Sequence, residues 1–142
     1  MHAQGYETDF REGQRLFQER AKSTQDHLKE HLLNYPHTPY SDEIYLMQGV
    51  LYVEKGKHKQ AQKVFQKVKA KNLSRASESM YYFYWGYAYL QQGEFKKALA
   101  CMQKLKKKQK FKRLRQRKLK KKQEKKLKQR LEIRLNEKLR KR

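Results

Sequence analysis

The sequence has one cysteine, two prolines and six glycines in 142 residues, and its last glycine is Gly93. A single cysteine, Cys101, excludes an internal disulfide and a cysteine-based zinc site. After Gly93 the chain also lacks proline, serine, threonine and aspartate. Because these residues most often end helices or form turns, nothing in the final segment would stop a helix.

Patterns of catalytic chemistry are also lacking. The sequence has no alternating strand pattern, no glycine-rich phosphate loop, no nucleophile elbow and no paired carboxylates. His27-Leu28-Lys29-Glu30-His31 matches the H-x-x-E-H motif of inverted zinc proteases, but those enzymes are much longer and need a third acidic ligand. We interpret the match as a coincidence and predict no enzyme, catalytic residue, metal or cofactor. No apolar run approaches the ~20 residues of a membrane span.

Two segments, 44–68 and 81–105, share one pattern at an offset of 37 residues. The offset aligns Tyr45 with Tyr82, Gly49 with Gly86, Tyr52 with Tyr89, Gly56 with Gly93, Ala61 with Ala98 and Phe65 with Met102. A fixed period of this size is typical of stacked helical hairpins, because one hairpin cannot bury its apolar face alone. Gly56 and Gly93 are the predicted turns, and Gly49 and Gly86 are predicted to let the paired helices approach closely.

These residues resemble the tetratricopeptide repeat, whose signature is an aromatic residue, then Leu-Gly and Tyr, followed by Ala and Phe in a second helix. The segment YPHTPYSDE (35–43) resembles the bacterial periplasmic branch of that superfamily. Gln48 and Met102 depart from the pattern, and no proline closes either repeat. The resemblance implies an all-α, short right-handed stack of antiparallel helical hairpins. It leaves the compartment open: bacterial periplasm if a leader was trimmed, cytoplasm otherwise.

Three hairpins are predicted in a domain of residues 1–105. Residues 1–36 form a degenerate first repeat or a cap, and 42–71 and 79–105 form two clear repeats. Helices are predicted at 42–55, 58–71, 79–92 and 95–108. Ser41 with Asp42 and Glu43 is expected to cap one helix, and Ser77 or Ser79 another.

Charged residues are distributed unevenly along the chain. Residues 1–102 carry 15 Lys+Arg against 11 Asp+Glu, whereas residues 103–142 carry 22 against 3, or +4 and +19 of the total +23. Residues 106–142 are therefore predicted to be a long basic helix or a tail that is only partly helical when free, since like charges oppose the helix. The predicted anion-binding residues are Lys106, Lys107, Lys108, Lys110, Lys112, Arg113, Arg115, Arg117, Lys118, Lys120, Lys121 and Lys122.

The first helices of stacked repeats line a groove, and the aligned register predicts that Leu46, Val50, Val53, Met80, Phe83 and Tyr87 face it. Such a groove would receive an apolar or aromatic segment of a partner. In the alternative, a terminal helix of the chain fills it. In the run YYFYWGYAY (81–89), the register assigns Tyr82, Trp85 and Tyr89 to the core rather than to base stacking.

The leading functional hypothesis is a non-enzymatic interaction module that binds a protein or peptide partner in the groove, with the tail attaching to an acidic partner. The alternative is a sequence-indifferent nucleic-acid binder acting through the tail, with the repeats as an oligomerisation or adaptor unit. Phe111 is the only aromatic residue of the tail, so base reading is not expected. Three further hypotheses are that the tail binds an anionic membrane surface, that the protein forms a homo-oligomer, and that the tail is a low-complexity segment without an evolved partner.

Overall fold

Six α-helices and one short 3₁₀ turn occur in the computed structural model, which describes residues 3–141, with side chains from Gly5 onward. The α-helices are α1 (Ala3–Glu19), α2 (Thr24–Asn34), α3 (Ser41–Glu54), α4 (His58–Phe65), α5 (Arg75–Gln91) and α6 (Phe95–Arg140), and the 3₁₀ turn is Ala70–Asn72. No strand lies within residues 3–141. The all-α prediction with three helical hairpins is confirmed.

Two compact units divide the chain, one up to Leu105 and one from Lys106 onward. The first unit contains the hairpins α1–α2, α3–α4 and the start of α5–α6. None of the described helices has an apolar stretch long enough to cross a bilayer.

The two helices of the α3–α4 hairpin are in close contact at Gly49. A Cβ atom at this position would overlap the ring of Phe65, which is fully buried. Glycine is therefore required here by close packing, in spite of its low helix propensity. The hairpin turns at Gly56, whose φ of +75° lies in the left-handed region that favours glycine, and Gly93 repeats this with a φ of +76°.

The second copy of the pattern, the α5–α6 hairpin, is packed less tightly. A Cβ atom on Gly86 would lie 3.1 Å from the Cβ of Cys101 and 3.4 Å from the terminal methyl group of Met102. Met102 stands where the first copy has Phe65. Because a methionine side chain is flexible, it can move aside, which a phenylalanine ring cannot do.

The linker between α4 and α5 differs from the prediction. Helix α4 ends at Phe65 rather than near residue 71, and α5 begins at Arg75 rather than near residue 79. The cap of α5 is Ser74, whose hydroxyl accepts a hydrogen bond of 3.2 Å from the Ser77 backbone N–H. The predicted caps Ser77 and Ser79 were therefore wrong, because the helix starts earlier.

Asp42 and Glu43 lie in the first turn of α3, as predicted, but they do not cap the helix. The start of α3 has no side-chain cap hydrogen bond. Instead, Asp42 accepts a hydrogen bond of 2.8 Å from the backbone N–H of Lys69, and Glu43 accepts one of 2.6 Å from the Ser77 hydroxyl. The two carboxylates thus hold the linker and the start of α5 against α3.

The H-x-x-E-H motif takes part in packing the first hairpin. His31 is fully buried, and its Nδ1 lies 2.5 Å from Oδ2 of Asp9 on α1. The Nε2 atom of His27 lies 3.4 Å from Oδ1 of the same carboxylate. Glu30, the glutamate of the motif, is exposed. Asp9 therefore joins α1 to α2 through both histidines.

The basic extension is helical. Helix α6 runs to Arg140, so of the two predicted forms, a long basic helix or a partly helical tail, the long helix is present. Strong helix formers without a breaker outweigh the repulsion between like charges. Within residues 106–141 the side chains are exposed, apart from Lys108, which is half-buried.

We expect Gly49→Ala to lower the free energy of unfolding by about 2 kcal/mol, because the added methyl group overpacks the Phe65 ring. Gly86→Ala is the matched control and should stay within about 1 kcal/mol of wild type, since alanine favours the helix and its closest contact, 3.1 Å to the Cβ of Cys101, needs only a small shift. Urea unfolding followed by the fluorescence of Trp85, the single tryptophan, measures both. Equal effects of the two substitutions would contradict the difference in packing.

Asp9→Ala should lower the free energy of unfolding by about 1–3 kcal/mol, because it leaves the buried His31 ring without a partner. The other ring nitrogen, Nε2, already lacks a hydrogen-bond partner. Glu30→Ala, at an exposed site on α2, should change stability by less than about 0.5 kcal/mol. Thermal unfolding measures both, and a larger effect of Glu30→Ala would be evidence for a role of the motif itself.

Candidate partner-binding surfaces

Half of the predicted groove is not accessible. Leu46, Val50 and Val53 on α3 are only 1%, 0% and 6% exposed. Helix α3 contacts α1, α2, α4 and α5. A helix with neighbours on all sides is apolar all round, as α3 is. The prediction that these three residues are open to a partner was therefore wrong.

The other half of the predicted groove is exposed on α5. Met80, Phe83 and Tyr87 are 36%, 50% and 40% exposed, and Leu90, which was not predicted, is 46% exposed. Their spacing of three, four and three residues places them on one side of the helix. We call these four residues the α5 face. No charged residue occurs from Ser79 to Gly93, although 36% of the whole sequence is charged.

At the start of α6, two exposed apolar residues were also not predicted. Phe95 and Leu99, at the start of α6, are 67% and 59% exposed. Their spacing of four residues places them on one side of α6. The signal that could have found them is the 37-residue offset, which aligns them with the polar His58 and Gln62.

The opposite side of α5 belongs to the core. Tyr81, Tyr82 and Tyr89 are buried, and Trp85 packs against them half-buried, so the prediction that Tyr82, Trp85 and Tyr89 serve packing is confirmed. The hydroxyl of Tyr81 donates a hydrogen bond of 3.0 Å to the carbonyl of Phe65. Burial raises the pKa of Tyr81 above its usual value, so the phenol stays neutral and remains a donor. These rings are not free to stack on bases.

Cys101 also belongs to the core. Its side chain is 7% exposed and lies against Gly86. Burial raises the pKa of the thiol, with the ammonium of Lys104 opposing that shift. A neutral, buried thiol is a poor nucleophile. Among residues 3–141, no three His, Cys, Asp or Glu side chains are grouped so that they could hold a metal ion.

The predicted anion-binding residues lie along α6, and eleven of the twelve are exposed, Lys108 being half-buried. Between Gln103 and Gln123 the helix has lysines and arginines but no acidic residue. Its three glutamates, Glu124, Glu132 and Glu137, come later. The positive charge is therefore densest in the first half of the extension.

Comparison with known families identifies two segments. Residues 42–70 match one model of the tetratricopeptide repeat, and residues 79–110 match another. No curated protein and no solved structure matches the chain. Repeats of this kind generally mediate protein–protein interactions. The matched segments cover the α3–α4 hairpin from residue 42 and the α5–α6 hairpin from residue 79 to residue 110, so these two hairpins are similar to tetratricopeptide repeats.

Proposed function

We propose that this protein is a non-enzymatic adaptor that binds a segment of a partner protein on the α5 face. The observation that carries the proposal is the α5 face itself, four large apolar side chains exposed on one side of a helix. Scattered exposed apolar residues are ordinary on protein surfaces, whereas a continuous apolar patch marks an interaction site. Tetratricopeptide-repeat proteins are typically adaptors without catalytic activity, which agrees with this function.

The basic extension adds attraction toward an acidic partner. The segment 103–142 contains 22 basic and 3 acidic residues. All side chains of residues 109–141 are exposed. Charge of one sign raises the rate at which an oppositely charged partner arrives, and salt screens it. Apolar contacts on the α5 face depend little on salt. The two surfaces therefore make separable contributions to binding.

Tyr87→Glu should abolish capture of the partner, because it places a carboxylate in the middle of the α5 face. Leu33→Glu is the matched control: Leu33 on α2 is 81% exposed and lies outside the α5 face. Full-length variants serve as bait in lysate of the source cells, with captured proteins quantified by mass spectrometry and folding checked by circular dichroism. We expect a loss of about tenfold or more for Tyr87→Glu alone. Unchanged capture by Tyr87→Glu would place the binding site elsewhere.

A second function, sequence-indifferent nucleic-acid binding, is favoured by one observation. Thirteen lysines and arginines between Gln103 and Gln123 lie on one helix without an intervening acid. Such a helix can neutralise many phosphates. If about six phosphates are engaged, affinity for duplex DNA should fall about 10³-fold between about 50 and 200 mM salt.

Fluorescence anisotropy with labelled duplex DNA and single-stranded RNA tests this function in the full-length chain. The matched variant changes the lysines and arginines of residues 112–122 to glutamine, which also favours the helix. We expect the variant to lose most of its binding and most of its salt dependence. Failure of the unmodified chain to bind either nucleic acid at low salt would exclude the function.

A further inference from the structure

The α3–α4 hairpin has a surface against which the next hairpin stacks, and polar contacts identify its members. Glu43 accepts a hydrogen bond from the Ser77 hydroxyl at the start of α5. The ring of His58 lies 6.0 Å from the ring of Tyr87, centroid to centroid. These residues of α3 and α4 therefore face the α5–α6 hairpin.

Gln62 on α4 belongs to the same surface. Its amide Nε2 donates a hydrogen bond of 3.4 Å to the carboxylate of Glu94, in the turn between α5 and α6. Three positions of the first repeat, 43, 58 and 62, thus contact the second repeat directly.

The 37-residue offset locates the corresponding positions of the second repeat. They are Met80, Phe95 and Leu99, which are 36%, 67% and 59% exposed. The polar residues of the first repeat are thus replaced by apolar residues in the second. The rest of the α5 face differs from the first repeat in exposure, since Phe83, Tyr87 and Leu90 correspond to Leu46, Val50 and Val53, which are apolar but buried.

We propose that this stacking face, made of the α5 face with Phe95 and Leu99, binds an amphipathic α-helix of an acidic partner protein. The bound helix takes the place on α5 that α5 takes on α3. The inference rests on the proposed adaptor function and names the kind of segment that is bound. Helix α6 continues to Arg140 without a turn, so no third hairpin follows it within the described residues.

We expect the bound segment to be a helix because a helix occupies the corresponding surface of the preceding repeat. On the α3–α4 hairpin it is the helix α5 that packs against both α3 and α4, with the ring of Tyr81 against that of Phe65. The stacking face has the same spacing of residues as that surface, with larger apolar side chains. It therefore suits another α-helix. A helix with an apolar stripe can bury the face along its whole length.

The expectation of an acidic partner follows from charge. The chain has a net charge of +23, and Lys96, which follows Phe95 in the sequence, is exposed. A second copy would bring +23 against +23, which opposes association. A helix with glutamates beside its apolar stripe has complementary charge and is attracted instead.

Two designed peptides of about 20 residues test the proposal, each long enough to form a helix. The first has leucines at i, i+3, i+4 and i+7 on one face with glutamate and alanine elsewhere. The second has the same composition with the leucines dispersed around the helix. Calorimetry with the full-length chain at about 300 mM salt screens attraction between the acidic peptides and the basic helix. We expect the striped peptide to bind about tenfold or more tightly than the dispersed one.

Substitutions then locate the bound peptide. Phe83→Glu with Leu99→Glu should weaken binding of the striped peptide about tenfold or more. Phe83→Ser with Leu99→Ser is a milder pair in case the charged pair unfolds the body, and Leu33→Glu should leave binding unchanged. Labelling the methyl groups of the four methionines gives an internal control by NMR, because Met80 lies on the stacking face whereas Met47 is buried. We expect the Met80 signal to shift and the Met47 signal to stay.

Three results would overturn the proposal. Equal affinity for the two peptides would mean that charge alone binds them. Undiminished binding by the folded Phe83 and Leu99 variants would place the peptide elsewhere. Sedimentation equilibrium that shows a dimer lost on Phe83→Glu would make a second copy the occupant. If the native partner is still lost with Tyr87→Glu while the striped peptide does not bind, the adaptor function stands and only the helical, acidic partner is refuted.

Discussion

The ring of Phe65 fills the space left by Gly49, and this contact joins three helices. Phe65 is the last residue of α4 and is fully buried. Its carbonyl accepts the hydrogen bond of the Tyr81 hydroxyl, and its ring lies 5.8 Å from that of Tyr81 and 6.3 Å from that of Trp85. An isolated helix of the eight residues of α4 would not be stable in water, so packing at its end must stabilise it. This one ring therefore packs against both neighbouring helices, α3 and α5.

The sequence was sufficient to predict the hairpins because the two copies obey the same local rules. A glycine at each turn, a glycine in each first helix and an alanine in each second helix recur at one offset. The end of α4 could not be predicted in this way, since the lysines and glutamines that follow Phe65 favour a longer helix. The linker beyond its end is held by a residue distant in the chain, since Asp42 accepts a hydrogen bond from the backbone N–H of Lys69. Contacts of this kind leave no periodic pattern.

The candidate site was predicted only in part, for a different physical reason. Val50 and Tyr87 occupy corresponding positions, yet one is 0% and the other 40% exposed. Local sequence determines which side of a helix a residue lies on, but burial depends on whether another hairpin stacks there. The α5–α6 hairpin stacks against α3, whereas no further hairpin of the described chain covers α5. The sequence therefore predicts on which side of its helix a residue lies. Whether that side is exposed depends on whether another hairpin follows.

Apolar and charged residues are separated along this chain to an unusual degree. The segment from Ser79 to Gly93 has no charge, and the segment from Gln103 to Gln123 has thirteen positive charges and no negative one. Apolar contact acts only at close range and determines how long a complex lasts, whereas charge acts over about 10 Å and determines how fast it forms. A partner that offers an apolar stripe without acidic residues would lack the second effect, and an acidic partner without a stripe would lack the first. Selectivity under the proposed function therefore comes from requiring both features on one partner.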